Sequence, residues 1–231
     1  MIINRNFDFV LDQFHVSFLF QDDPIILQES SFAFHGVNYN PMDPKLLITA
    51  NQNEGVSLID HRKPNRPIMR YGKHGLKSKS AMCAKFCPDG TKIFALGLRM
   101  NPLIYDISSP RALAEFDHPG YFNSCTMKSG AFTPNGYVLS GSDDFNVYVW
   151  KVPDFPSDQF RTTVNIKRAD FVLRGHRSIV NQVRFNSTYN VIATSGEICD
   201  ILHLTLKWAH RNSFLSKSKP GEYSNDVLLG Y

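Results

Sequence analysis

The chain has 231 residues, 42% of them hydrophobic and 20% charged, which is enough apolar mass for a sizeable core. A net charge of +4 is mild: it permits an acidic partner without pointing to nucleic acid as a strongly basic domain would. The 18 Phe and 9 Tyr suit sheets better than helices, and no stretch sustains a 3.6-residue period, so an all-β protein is expected.

Residues 1–29 are apolar-rich, but Arg5, Asp8 and Asp12 interrupt them. They form neither a secretory leader nor a membrane-spanning run, so no membrane partner and a nuclear and/or cytoplasmic location are expected. They also lack the two anchors that recur further on and read as a divergent N-terminal segment.

The first anchor is an aromatic residue, any residue and then Pro. The second is the end of an apolar alternating run. In the first unit, residues 30–72, these are Tyr39-Asn40-Pro41 and Ile59-Asp60. A loop at residues 70–79 follows, with four fixed positive charges (Arg70, Lys73, Lys77, Lys79) near two glycines. It could hold an acidic peptide or a phosphate backbone, although it lacks the residue order of a P-loop; a solvated loop is the plainer alternative.

The second unit, residues 73–118, carries Phe86-Cys87-Pro88 and Tyr105-Asp106. Cys83 and Cys87 share one face of its strand, and no matching pair completes a zinc set, so they read as small core residues. The third unit, residues 119–170, shows its strands most clearly: Met127 to Phe132, Tyr137 to Ser140 and Phe145 to Trp150. The turns at Pro134-Asn135-Gly136 and Gly141 to Asp144 separate them. Alternation in the last strand puts Val147 and Val149 on one face and Tyr148 and Trp150 on the other. Residues 153–170 form a polar insertion containing Pro, read as a blade-linking loop with a ragged outer strand. The fourth unit, residues 171–210, opens on Gly175-His176, has the variant anchor Phe185-Asn186-Ser187 and ends at Trp208-Ala209; an apolar-ended tail, 211–231, follows.

Successive anchor prolines are 47 and 46 residues apart, and the second anchor follows the first by 20, 19, 18 and 23 residues. A period of about 45 is that of one blade of a WD-repeat β-propeller. About four blades are recognisable, so an incomplete ring is expected, with open flanks suited to a partner.

Longer strings narrow the match. Glu54 to Pro64, Tyr121 to Ser129, Gly141 to Trp150 and Gly175 to Asn186 resemble the WD-repeat substrate receptors of cullin 4 RING ubiquitin ligases, over roughly residues 30–196. The resemblance implies a non-catalytic subunit that docks on the ligase's adaptor protein and presents a protein substrate. It implies that His176, Ser195 and Trp208, with Asp144 and Trp150 in the preceding blade, are structural residues of buried hydrogen-bonded networks. The family's docking signature is Trp-Asp-any-Arg. The matching positions are Ile59-Asp60-His61-Arg62, which makes Asp60 and Arg62 the expected adaptor contacts and leaves the Trp missing. No catalytic, metal or cofactor residues are expected. Asp143-Asp144 lies in a turn, and no nucleophile–base or metal-ligand arrangement appears. Two other readings stand: a generic WD-repeat scaffold without a ligase role, favoured by the lost Trp, and a histone-tail or nucleic-acid reader using the basic loop.

Overall fold

The structure is a computed structural model. It describes residues 3–4, 7–11, 15–20, 23–64, 66–72, 80–155, 162–197 and 201–205, with side chains from residue 25 to residue 197. Every regular element among them is a β-strand, and the strands form five sheets in chain order.

The first sheet is an antiparallel meander of β1 (Ile3–Asn4), β2 (Phe7–Leu11), β3 (His15–Phe20) and β4 (Asp23–Glu29). The segment expected to be merely divergent is therefore a sheet that packs beside the next one. A strand needs alternation and a neighbour rather than the recurrent anchors, so their absence was a poor guide here. The second sheet is β5 (Phe34–Tyr39), β6 (Leu46–Asn51), β7 (Gly55–Asp60) and β8 (Met69–Arg70). The third contains β9 (Cys83–Phe86), β10 (Lys92–Leu96), β11 (Leu103–Asp106) and β12 (Ala112–Phe116). The fourth starts with β13 (Gly130–Phe132), β14 (Tyr137–Gly141) and β15 (Val147–Lys151).

The insertion then does something alternation alone does not reveal. Its strand β16 (Val164–Ile166) runs back to the third sheet and pairs in parallel with β12, becoming that sheet's fifth strand. Thr163 Oγ1 donates to the Ala112 carbonyl at 2.8 Å and the Asp117 amide to the Ile166 carbonyl at 2.7 Å, which extends the tie. The chain returns as β17 (Phe171–Leu173), the outer strand of the fourth sheet. Sheets three and four are thus stapled by one segment. The fifth sheet is β18 (Val180–Asn186), β19 (Val191–Gly196) and β20 (Ile201–Thr205).

The core lies between sheets, and period-2 alternation puts it there. Leu47 and Ile59 turn toward Leu27 and Phe34, while their neighbours Ile48 and Leu58 turn the other way, onto Phe86, Ile93 and Tyr105. Phe94, Phe116, Tyr148 and Trp150 fill the next space. Val147 and Val149 face Val180, Val183 and Ile192 in the last. The opposite facing of the Val and aromatic pairs in β15 is as the alternation requires. Both faces of a blade are buried, so β7 shows no exposed residue. Each such aliphatic or aromatic side chain stabilises the stack by about 1.5–3 kcal/mol. Strands touch closely at Gly141, where a Cβ would overlap the Val180 carbonyl of the next sheet.

Two boundaries in the fourth sheet differ from the sequence reading. Residues 127–129 precede the strand rather than belong to it, and Lys128 and Ser129 are buried by polar contacts instead. Phe145 sits in the turn at φ 71°, a left-handed conformation that a strand cannot contain.

Candidate protein-binding surfaces

Antiparallel order sets two ends for every blade. The turns between first and second strands, and between third and fourth, lie at one end. The turns between second and third strands, and the loops entering each blade, lie at the other.

The expected docking corner, Asp60 to Arg62, is at the first end. Asp60 closes β7 and is buried, while the Arg62 side chain is 57% exposed. The carboxylate accepts from the Arg62 amide at 3.0 Å, from Nε at 2.9 Å and from Nη2 at 2.7 Å. Those hydrogen bonds hold the Asp60 carboxyl down at about 2, against the effect of burial. A forked pair of this kind fixes the guanidinium plane. Ile59 occupies the signature's Trp position and is fully buried among Leu27, Phe34 and Leu47. The corner therefore rests on an apolar anchor below and on Asp60 beside it, with the outer edge of the guanidinium facing solvent. At the same end, between the third and fourth sheets, lies a cavity of about 560 Å³. Its walls include Asp89, Phe132, Pro134, Lys151 and Phe155. Cys87 also lines it, but burial pushes that thiol up, so it is a packed group rather than a nucleophile.

The expected structural residues divide. His176 is buried, and its Nε2 lies 2.7 Å from Thr194 Oγ1. Thr194 is thus a hydroxyl partner of His176: alternation in β19 buries it and leaves Ser195 half-buried on the other face. Trp208 lies outside the described residues. Trp150 is fully buried and donates from Nε1 to the Asp117 carbonyl at 3.0 Å. Asp144 accepts from Tyr148 OH at 2.6 Å and Asn146 Nδ2 at 2.8 Å. In this blade Tyr121 stands edge-on to Trp150 and shares a hydrogen bond of 3.1 Å with Ser140 Oγ.

The basic loop loses its first member as an anion ligand. Arg70 Nη1 binds Glu54 Oε2 at 2.6 Å, and Ser30 Oγ holds the other oxygen of the same carboxylate. Lys73, Lys77 and Lys79 lie outside the described residues.

The second end carries residues that the sequence reading missed. Lys128 is fully buried, with Nζ 2.5 Å from Asp143 Oδ1 and 2.7 Å from Thr126 Oγ1. Asp143 Oδ2 also accepts from the Ser124 and Cys125 amides at 2.6 and 3.0 Å. Burial acts to raise the Asp143 carboxyl, but these donors outweigh it and hold it below the ordinary value. The loop 121–129 is thereby tied to the turn of its own blade, and Phe122, Met127 and Phe145 stay 56%, 52% and 44% exposed. Two turns of unrelated sequence meet here, so no spacing rule could have paired them. Among the described residues, no three His, Cys, Asp or Glu side chains are grouped to hold a metal ion.

This stack of three- to five-stranded, mostly antiparallel sheets, with its His–Thr and Trp contacts, is that of a WD-repeat β-propeller, with more sheets than the four blades the anchors reveal and without a described contact closing the ring. The family model "WD domain, G-beta repeat" matches residues 112–151 and 168–200. Each match begins on the outer strand of one blade and runs into the inner strands of the next. Over 176 residues, 75% of its length, the chain is 49% identical to the DDB1- and CUL4-associated factor 5 of Mus musculus. It is 48% identical to that of Homo sapiens over the same share. The chain spans only 18% of the length of these relatives. The crystal structure of the computationally designed Ika8 protein superposes with a TM-score of 0.61 at 13% identity, over 84% of this chain and 53% of that one, a likeness of fold alone.

Proposed function

We propose that the chain is a substrate-recognition subunit of a cullin 4 RING ubiquitin ligase, docking on the adaptor DDB1 and holding a protein substrate. The reading rests first on near-half identity to proteins named as DDB1- and CUL4-associated factors, across a segment that includes the Asp60–Arg62 corner. The mechanism is positional and needs no catalytic group of this chain. Arg62 offers its outer N–H edge to a carboxylate or carbonyl of the adaptor, already oriented by Asp60. The opposite end of the blades remains open to substrate, and the shared tether raises substrate concentration near the transferase. Its site of action is the nucleus, the cytoplasm or both.

Capture of purified DDB1 by the wild-type chain and by Arg62→Ala tests the reading. Wild-type capture with a loss of about tenfold or more in the variant supports it; no capture by either chain overturns it. A generic scaffold without a ligase role is the second reading, favoured by the absence of Trp at Ile59. It predicts no DDB1 capture at all.

A further inference from the structure

The first strands of the second to fifth sheets, β5, β9, β13 and β18, run side by side and so line the axis of the stack. Side chains tie this inner wall together. The Phe86 amide donates to Asn38 Oδ1 at 3.0 Å, and the Val183 amide to Ser129 Oγ at 2.9 Å.

The residue just before each aromatic anchor stands at one level of the wall: Asn38, Lys85, Ala131 and Arg184. Alternation turns all four the same way round the axis. Val37 and Tyr39 pack toward the first sheet, Ala84 and Phe86 toward the second, Phe132 toward the third and Phe185 toward the fourth. The residue beside each of them therefore faces onward. Asn38 uses that place to hold the Phe86 amide, and Ala131 uses it for apolar packing.

Lys85 and Arg184 have no comparable task. Among the described residues the Lys85 ammonium makes no hydrogen bond or ion pair. Arg184 reaches only the Val183 carbonyl of its own strand, at 3.3 Å. Lys85 is half-buried, and its surroundings do not compensate its charge. Burial pushes the ammonium down, Cys83 pulls it up, and the Arg184 guanidinium pushes it down again. No carboxylate is among the groups that act on it: Asp43 and Asp89 lie in the turns beyond the anchors and are absent from that set. Two cations thus face each other's field along the inner wall without a counter-charge. An anion placed with them relieves both.

We infer that the inner wall binds a phosphate group on Lys85 and Arg184, its oxygens shared by the ammonium and the guanidinium fork. Two cations match a phosphate dianion, whereas a carboxylate would leave one of them unmatched. Arg offers a planar pair of donors to two oxygens and Lys a point charge to another. Ala131, between the two in the ring of positions, contributes only a methyl. The phosphate is free in solution or carried on a partner, since either source presents the same oxygens. The inference does not depend on the adaptor reading, because neither residue belongs to the Arg62 corner.

The test titrates the full chain, isotope-labelled at lysine Cε, with inorganic pyrophosphate and with acetyl-Gly-phosphoserine-Gly amide. Ionic strength is held constant with sodium chloride. A saturable shift of the Lys85 resonance is expected, and its titration midpoint should move to higher pH with the anion bound. Affinity should fall about tenfold in Lys85→Gln and in Arg184→Gln. Arg184 is exposed, so its variant keeps the test valid if Lys85→Gln folds poorly. Saturation by pyrophosphate alone assigns a free phosphate, and tighter binding of the peptide assigns one carried on a polypeptide. No saturable shift with either probe, an equal shift with acetate, or wild-type affinity in Arg184→Gln would overturn the inference.

Discussion

Replacing Lys128 by Met removes the only buried ammonium described and strands the Asp143 carboxylate beside it. Breaking a buried ion pair by deleting one partner costs about 3–5 kcal/mol. The lower end applies here, because the Ser124 and Cys125 amides still donate to the same carboxylate. A loss of about 3 kcal/mol lowers the urea midpoint by about 1–3 M at the usual slopes. The pH dependence carries the sharper signature. In the wild type the Asp143 carboxyl is held below its unfolded value near about 4, so its stabilisation is present above that value and is lost as pH falls through the lower folded one. Without Lys128 the ion pair is lost while burial still acts to raise the carboxyl, so its folded value moves upward. The deficit against wild type is then largest at neutral pH and narrows as pH falls, as from pH 7 to pH 4. Urea melts of both proteins at the two pH values decide the matter. A deficit under about 1 kcal/mol, or one that does not change with pH, would refute the account of this loop. The double variant Lys128→Met with Asp143→Leu should recover part of the loss, since removing both charges leaves none buried alone.

Trp150→Ala should destabilise by about 3–5 kcal/mol, and Trp150→Phe, which keeps most of the packing and loses the bond to the Asp117 carbonyl, by nearer 1 kcal/mol; chemical denaturation measures both. Thr194→Val should cost about 1 kcal/mol by leaving His176 without its hydroxyl, while Ser195→Ala stays within about 0.5 kcal/mol, and reversed ranks would restore Ser195 as the partner. The Asp60 carboxyl carbon should titrate near pH 2 by NMR and move toward the ordinary carboxylate range in Arg62→Ala; its contribution to stability is present above about 4 and fades as pH falls through about 2.

The blades were legible because their cause is local. Aromatic-any-Pro anchors mark the first turn of a blade, and alternation in Val147 to Trp150 assigns each side chain to a flank without reference to any other segment. The first sheet was hidden for the same reason: it keeps alternation but lacks anchors. Thr194 is not marked by sequence as the His176 contact because a one-residue shift reverses every facing in a strand, and spacing from His176 does not fix that register. The strand β16 escaped because its partner, β12, is a distant segment of the previous unit. The recognition features divide likewise. Asp60 and Arg62 are two apart and act on each other, so a short motif could find them. Lys85 and Arg184, and Lys128 and Asp143, lie on segments that only the packing of blades brings together.

The same packing explains why the two ends can carry different tasks. Each end is a row of turns whose polar groups must be satisfied by the chain itself or by something bound. At the Arg62 end Asp60 takes Arg62 and leaves one oriented edge of its guanidinium outward, among other exposed charges such as Lys63 and Lys151. At the other end Lys128 and Asp143 are matched within the loop, while Phe122, Met127 and Phe145 stay exposed. The two ends therefore present different surfaces, one built on an oriented guanidinium and the other on exposed aromatic and apolar side chains around a buried ion pair.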